Sequence, residues 1–384
     1  MILRLLMIYF LMISLQASAN SLLLVGDQKI STEYFDLIGS QYKLPEALWG
    51  VGGAIKIMDK NLIFASANGN FLKINTDKLT YQEDFLPKIN TGSDDIKKSK
   101  RITYQELLPR VHDVGFFYGS WYVSYDKYSL ADDCIYFVIS KFNPNNKTWA
   151  TLYTSPKLDV SYYAMGTGGK LAAKDNKLFF TVGDYSLDRI NKLPSDVAPQ
   201  NIKLPWGKVN YIDLKSNEFN VYTLGHRNAL GLVMLKGGAM VVSENGPKGG
   251  DELNVIKKGM NYGWPYKSYG TGYGSFRKYS ELLPVIKPGV YEDPMYAFVP
   301  SVAPSQLIQV IGFDPEWDGD ILLGSLKAMT LFHIKISGER VVYSEPIYIG
   351  HRIRDLQQDN DKFFLLTDDN SILQITKVKA SKKQ

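Results

Sequence analysis

Residues 62–74 read Leu-Ile-Phe-Ala-Ser-Ala-Asn-Gly-Asn-Phe-Leu-Lys-Ile, and this stretch contains the unit that predicts the fold. Two apolar segments, 62–66 and 71–74, flank the dipeptide Asn68-Gly69. Short apolar segments of this kind are typical of β-strands, and Asn-Gly accepts the positive φ angles that a tight hairpin turn requires. The stretch therefore predicts a β-hairpin.

The same apolar hairpin pattern recurs along the chain. Apolar segments separated by polar turns lie within 121–139, within 321–334 and within 363–375, and another follows the Asp175-Asn176 turn at 177–182. Repeated hairpins over one long chain favour a radial arrangement of sheets, because radial repetition leaves few exposed sheet edges.

We therefore predict an all-β fold, a six-bladed β-propeller formed as one domain by residues 20–376. Six blades allow about 61 residues each, enough for four strands and long loops on one face. Seven shorter blades or a large β-sandwich are the alternatives. The composition agrees with strands and turns, since the chain has 32 glycines, 17 prolines and 13% aromatic residues.

The two ends of the chain differ in composition from the rest. Arg4, the apolar run Leu5–Leu15 and the small residues Ala17–Ala19 have the pattern of a cleavable signal peptide at residues 1–19. An uncleaved membrane anchor is the alternative interpretation. Residues 377–384 form a short basic tail. No second long apolar stretch follows, so we expect a periplasmic or secreted protein without a membrane span in its mature form.

Charge and cysteine content argue against nucleic-acid binding and against catalysis by a thiol. The formal charge of +5 is small and spread along the chain, which does not indicate nucleic-acid binding. Cys134 is the only cysteine, so the chain has no internal disulfide. It begins the apolar run 134–139, and we expect a buried apolar residue rather than a catalytic thiol.

Two local patterns indicate ligand chemistry. Arg352 and Arg354 are two residues apart, which on a strand places both guanidinium groups on one face, where they suit a carboxylate or phosphate. Pairing with an acid such as Asp355 is the alternative. The glycine-rich stretch 244–252 contains carboxylates and can turn backbone carbonyls inward, as a Ca²⁺ site requires, although it is also consistent with a simple turn.

Three motifs over about 40 residues carry a specific resemblance. They are Gly-His-Arg-Asn at 225–228, Glu-Asn-Gly-Pro-Lys-Gly-Gly-Asp-Glu-Leu-Asn at 244–254 and Gly-Met-Asn-Tyr-Gly-Trp-Pro at 259–265. In order and spacing this run resembles the glucose/sorbosone dehydrogenase family, whose members include soluble aldose dehydrogenases that use pyrroloquinoline quinone (PQQ). The resemblance implies a six-bladed propeller with the cofactor at one end of the central channel.

The resemblance also implies roles for individual residues. Arg227 and Asn228 would contact the quinone region, and Arg227 would thereby act in catalysis. Binding of the cofactor's carboxylates would fall to Lys327, Arg352 and Arg354.

A Ca²⁺ ion is the second cofactor that the resemblance implies. The backbone carbonyls of Gly246 and Pro247 would hold it, and the ion would polarise the quinone carbonyl. Asp251 and Glu252 would either hold a second, structural Ca²⁺ or only brace the loop.

The sequence departs from the family at the general base. The family places a histidine just before a Gly-Arg-Leu-like motif, and Gly166 stands at that position in the stretch 165–171. Glycine cannot accept a proton, and general-base catalysis is worth about 10²–10⁴-fold. Among the four histidines, His112 is the candidate for a relocated base, with the adjacent Asp113 as a residue that could orient it.

The sequence therefore leads to an expected function and two alternatives. We expect an exported quinoprotein-type oxidoreductase that oxidises a sugar or polyol with PQQ and Ca²⁺ and passes electrons to an acceptor. A cofactor- or ligand-binding propeller without turnover is the second interpretation, because many propellers are binding scaffolds. A propeller hydrolase or lactonase that uses Ca²⁺ alone is the third.

Overall fold

A computed structural model describes residues 20–48, 50–99, 108–160, 166–187, 197–282 and 289–378. The predicted signal peptide and most of the basic tail lie outside the described residues. Among the described residues, no helix has the length and apolar character needed to cross a membrane.

The described chain is built almost entirely from strands. It starts with β1 (Asn20–Ser21), β2 (Leu23–Ser31) and β3 (Asp36–Lys43). Blade 1 contains β4 (Ala54–Met58), β5 (Asn61–Ala65), β6 (Phe71–Asn75) and β7 (Thr80–Glu83), with β1 added at its edge. Blade 2 contains β8 (Val111–Phe117), β9 (Ser120–Ser129), β10 (Cys134–Asn143), β11 (Thr148–Thr154) and β12 (Leu158–Asp159).

The next blades have four strands each. Blade 3 contains β13 (Gly168–Lys174), β14 (Lys177–Val182), β15 (Lys208–Asp213) and β16 (Phe219–Thr223). Blade 4 contains β17 (Ala229–Met234), β18 (Met240–Glu244), β19 (Asp251–Ile256) and β20 (Tyr296–Phe298). Blade 5 contains β21 (Pro304–Gln309), β22 (Ile321–Ser325), β23 (Thr330–Ser337) and β24 (Arg340–Tyr348).

The last blade joins the two ends of the described chain. Its strands β25 (Ile353–Asp359), β26 (Lys362–Thr367) and β27 (Ser371–Lys377) are completed by β3 and β2. Strand β27 pairs antiparallel with β3, for example at Leu373 and Gln41. The first strands of successive blades also contact one another around the whole circle, from β4 to β25 and back to β4. This closed ring confirms the predicted six-bladed β-propeller.

Helical segments are short. The helix α1 (Ser93–Ser99) lies before blade 2, and single 3₁₀ turns occur at Glu46–Leu48, Ala198–Gln200 and Tyr279–Leu282.

The hairpins predicted from local sequence are present. In blade 1, Ile63 pairs with Lys73, and Gly69 in the connecting turn has a φ of 85°. Apolar side chains from adjacent blades pack between the sheets, as in the cluster that joins Phe137 of blade 2 to Phe180 of blade 3. Cys134 is a free, buried residue, as expected.

The first strand of each blade lies innermost in the ring. In five of the six blades, the pairing between this strand and the second strand is interrupted near the start of the first strand. One or two residues near the start of each strand fall out of register with the neighbouring strand. The residues skipped by the pairing are His112, Gly169–Lys170, Leu230, Ser305–Gln306 and Arg354. A bulge redirects the side chain of the extra residue, so these positions can point away from the regular ladder.

Candidate functional site

The bulged residues of four blades meet at one end of the ring. A cavity of about 30 Å³ is lined by His112, Lys170, Leu230 and Arg354 together with Arg110. Loops before the first strand and between the second and third strands of each blade emerge at this end, which we call the mouth. The motif segments at 225–228, 244–254 and 325–327 all lie in such loops or at their borders.

His112 is held between two polar groups at the mouth. Its Nε2 lies 2.9 Å from Oδ2 of Asp126, within ion-pair distance but outside hydrogen-bond geometry. Its Nδ1 lies 3.5 Å from the hydroxyl of Thr167. The ring lies nearly parallel to that of Phe137, with centroids 6.2 Å apart. A Cβ on Gly169 would stand 2.2 Å from the Cβ of His112, so this glycine allows the histidine to fit.

Asp113 does not orient His112. The Asp113 carboxylate accepts a hydrogen bond from the Leu171 amide at 2.8 Å and lies 3.5 Å from Nζ of Lys170. The residue that contacts His112 is Asp126, on the adjacent strand β9. Adjacent residues of a strand point to opposite sides, which argues against Asp113 as the partner of His112, and the contacts agree.

Gly166 has a backbone conformation that disfavours a histidine. Its φ is +115°, in the region where an L side chain is strained, and a Cβ there would lie 3.2 Å from Oδ1 of Asp184. This backbone therefore does not accommodate the family's base at position 166.

Arg227 and Asn228 lie at the mouth, directly before β17. The Arg227 guanidinium donates to the carbonyls of Asn245, at 3.0 Å, and Gly246, at 2.7 Å, and lies over the ring of Trp264. The Asn228 side-chain oxygen accepts from the Gly168 amide at 3.2 Å. These bonds bring the Gly-His-Arg-Asn motif against the loop after β18 and against the start of β13.

The carbonyls expected to bind Ca²⁺ already accept hydrogen bonds. Gly246 accepts from Arg227, and the Pro247 carbonyl accepts from the Ser301 hydroxyl at 3.3 Å. Among the residues that the structure describes, no group of three or more His, Cys, Asp or Glu side chains could hold a metal ion. A Ca²⁺ ion at Gly246 would therefore compete with a guanidinium for the same oxygen.

Asp251 braces the loop between β18 and β19. Its Oδ1 accepts from the Gly246 amide at 2.9 Å, and its Oδ2 accepts from the amides of Val302 and Ala303, both at 2.7 Å. Burial raises the pKa of this carboxyl group, while these backbone hydrogen bonds oppose the rise. The bonds favour the bracing role over a second Ca²⁺ site for this residue.

Glu252 pairs across the ladder with Glu244. Burial, and then the charge of Glu244, raise the pKa of Glu252 to about 8. Glu244 lies 2.7 Å from Nδ1 of His226, whose Nε2 lies 2.9 Å from the Thr223 hydroxyl. His226 is thus fully enclosed in a structural hydrogen-bond network.

Arg352 and Arg354 share one carboxylate, as the pairing alternative predicts, but it belongs to Asp368 rather than Asp355. Arg354 donates to both oxygens of Asp368, at 2.8 and 2.9 Å, and Nε of Arg352 donates to one of them at 2.9 Å. Burial, and the charges of Arg110 and Arg352, lower the pKa of Arg354 against the opposing effect of Asp368. Several cations therefore crowd together at the mouth.

Lys327 is exposed and follows strand β22. The adjacent Leu326 carbonyl is 3.5 Å from Arg352, so the two segments lie side by side. Sequence reasoning missed Asp126, Asp368 and Arg110. Asp368 carries a weak signal, because it follows the second strand of its blade, as Lys327 does in blade 5.

Comparison with known proteins assigns the chain to a family. The sequence matches the family described as Glucose / Sorbosone dehydrogenase over residues 122–377. The chain belongs to the glucose/sorbosone dehydrogenase family. This family member is 33% identical over 156 residues to Aldose sugar dehydrogenase YliI of Escherichia coli, covering 39% of this chain and 42% of that protein. It is 26% identical over 279 residues to Quinoprotein glucose dehydrogenase B of Acinetobacter calcoaceticus, covering 53% of this chain and 58% of that protein.

Solved structures share the fold of this family member. The PQQ-bound form of Aldose Sugar Dehydrogenase from Streptomyces coelicolor superposes with a TM-score of 0.63 at 19% identity, covering 88% of this chain and 98% of that one.

The two sequence matches span about half the length of the relatives, so the activity of a whole relative does not transfer by similarity alone.

Proposed function

We propose that this family member is an exported oxidoreductase that oxidises a sugar or polyol with PQQ and Ca²⁺ and passes the electrons to an acceptor. The observation that carries the proposal is the convergence of Arg354, Asn228 and the His112–Asp126 pair at the mouth of the ring. The similarity to an aldose sugar dehydrogenase, a quinoprotein glucose dehydrogenase and a PQQ-bound structure supports the substrate class and the quinone.

The cationic residues fit the cofactor's charge. PQQ carries three carboxylates and an ortho-quinone, and guanidinium groups match carboxylates in bidentate geometry. Arg352 and Arg354 already hold one carboxylate, that of Asp368, so their orientation suits an anion. Lys327, exposed beside them, would supply a further positive charge. Arg227 and Asn228 would contact the quinone region.

The backbone carbonyl oxygens of Gly246 and Pro247 are of the type that Ca²⁺ prefers, because this ion binds hard oxygen ligands. Two carbonyls are too few for the about six to eight oxygens it takes, so the cofactor and water would supply the rest. Arg227 would leave the Gly246 carbonyl when the ion binds. Glu252 is the remaining carboxylate for a second ion, since both oxygens of Asp251 are engaged.

His112 supplies the proton acceptor. When bound, the quinone accepts two electrons and the hydrogen of the sugar carbon as hydride. The hydroxyl proton of that carbon then needs a base; Nδ1 of His112 lies 3.5 Å from the Thr167 hydroxyl, and both residues line the cavity at the mouth. Arg110 and Arg354 line the same cavity and would orient anionic groups next to the base.

Reconstitution tests the proposal. The purified protein is loaded with PQQ and Ca²⁺, and reduction of an electron-accepting dye is followed with a panel of aldoses and polyols. We expect saturable reduction with at least one sugar and a fall of about 10²–10⁴-fold in kcat for His112→Ala. Equal PQQ affinity in the variant would serve as the control for folding. Absence of quinone binding would contradict the proposal, and binding without reduction would favour the non-catalytic propeller.

A further inference from the structure

The carboxylate beside the proposed base has an arrangement of its own. The Asp126 side chain is fully buried, and its Oδ1 accepts a hydrogen bond from the Tyr185 hydroxyl at 2.6 Å. Its other oxygen faces Nε2 of His112 at 2.9 Å. Blade 2 thus contributes the imidazole and the carboxylate, and the loop after β14 contributes the hydroxyl.

We propose that Asp126 is a positioning residue that fixes His112 in the Nε2–H tautomer and keeps the Nδ1 lone pair at the mouth. The inference rests on the proposed function for its catalytic meaning. An ionised carboxylate only accepts hydrogen bonds, so the nitrogen that faces it must carry the proton. In a neutral imidazole the other nitrogen is then the acceptor.

Tyr185 sets the strength of this pairing. Its hydroxyl donates to Asp126 and therefore draws negative charge away from the oxygen that faces His112. The backbone of Tyr185 is itself held by Gly166, because the Tyr185 amide donates to the Gly166 carbonyl at 3.1 Å. The position at which the family's histidine is missing thus holds Tyr185, the residue that donates a hydrogen bond to Asp126.

The charged groups around His112 act in opposite directions. Asp126 stabilises the imidazolium that forms when the base accepts a proton, while Arg110, Arg354 and Lys170 line the same cavity and oppose it. Asp113 lies on the neighbouring position of β8 and is engaged by Lys170.

The test uses the apo protein with ¹⁵N-labelled histidine, so it does not depend on quinone binding. The four ring systems are assigned with His112→Ala, and both nitrogens of His112 are followed by NMR across pH. We expect the Nε2–H form in the wild type. In Asp126→Asn this preference should weaken, because an amide side chain can donate to the ring nitrogen as well as accept from it.

Tyr185→Phe should have the opposite effect. Without the hydroxyl, the Asp126 carboxylate is a stronger acceptor, so the Nε2–H form of His112 should be kept. A loosened structure would mix the two tautomers in both variants. Asp133→Asn is the matched control, because Asp133 accepts from the Tyr128 hydroxyl at 2.9 Å in the same blade, away from His112.

Kinetics give the second readout. In the loaded enzyme, Asp126→Asn should lower kcat at least about 10-fold with little change in KM. An Nδ1–H tautomer in the wild type, or an unchanged tautomer in Asp126→Asn, would overturn the inference. The expected NMR result without any sugar oxidation would instead refute the proposed function alone.

Discussion

Replacing Lys170 with methionine should destabilise the propeller, because this side chain neutralises two buried carboxylates at its centre. Its Nζ lies 3.1 Å from Asp355 and 3.5 Å from Asp113, and only 6% of the side chain is exposed. The Asp355 carboxylate also accepts from the Ile55 amide at 3.0 Å. The cluster therefore ties together the inner strands of blades 1, 2, 3 and 6.

The size of the effect follows from the burial of both partners. Methionine keeps the length and apolar stem of lysine, so little packing is lost. Removal of one partner from a buried ion pair costs about 3–5 kcal/mol, because the remaining charge is left uncompensated. Lys56 is also close to both carboxylates and offsets part of their charge, so the loss of stability should stay within that range.

The loss should depend on pH. Burial raises the pKa of Asp113 from 3.8 to about 6, and the charge of Lys170 opposes that rise. Without Lys170 the pKa should rise further. The folded wild type already binds more protons than the unfolded chain between about pH 4 and 6, and in the variant this range extends above pH 6, so the variant loses additional stability as the pH rises above 6. The deficit relative to the wild type should thus be smaller at pH 5 than at pH 7.5.

Urea unfolding followed by tryptophan fluorescence at both pH values measures this difference. Lys174→Met is the control, because Lys174 lies on the same strand, is exposed and only donates to the Gly238 carbonyl. A Lys170→Met variant within about 1 kcal/mol of this control at pH 7.5, or a deficit that does not shrink at pH 5, would refute the reasoning.

Two further substitutions probe the mouth. Asp368→Asn should lower the free energy of unfolding by about 3 kcal/mol, because Arg352 and Arg354 lose their shared carboxylate. Added sulfate should restore part of the lost Tm, and an unchanged Tm in the variant would contradict this prediction. Arg227→Met should bind Ca²⁺ more tightly than the wild type, because the guanidinium no longer occupies the Gly246 carbonyl. Calorimetry without quinone measures this difference, and equal affinities would show that Arg227 and Ca²⁺ do not compete for that carbonyl.

Local sequence predicted the strands of this fold well. A hairpin such as that around Asn68-Gly69 is specified by residues within one short stretch, so its turn and pairing follow from nearby chemistry. The closure of the ring depends instead on β27 and β3, which are more than 300 residues apart in the chain. No local pattern reports such a pairing.

The site was predicted less completely, for the same reason. The motifs identified the family and the segments at the mouth, but the partners of the charged residues come from other parts of the chain. Asp113 was considered as a partner for His112 because the two are adjacent in sequence, whereas a bulge and the neighbouring strand bring Asp126 there. Asp368 reaches Arg354 across a hairpin of the last blade.

Reduction of the bound quinone in a single turnover tests the central claim most directly. PQQ-loaded protein is mixed anaerobically with each sugar of the panel, and the absorbance of the cofactor is followed in a stopped-flow instrument without any electron acceptor. We predict reduction by at least one aldose or polyol, slowed by about 10²–10⁴-fold in His112→Ala. A quinone that binds and stays oxidised with every sugar, or a His112→Ala variant as fast as the wild type, would contradict the account.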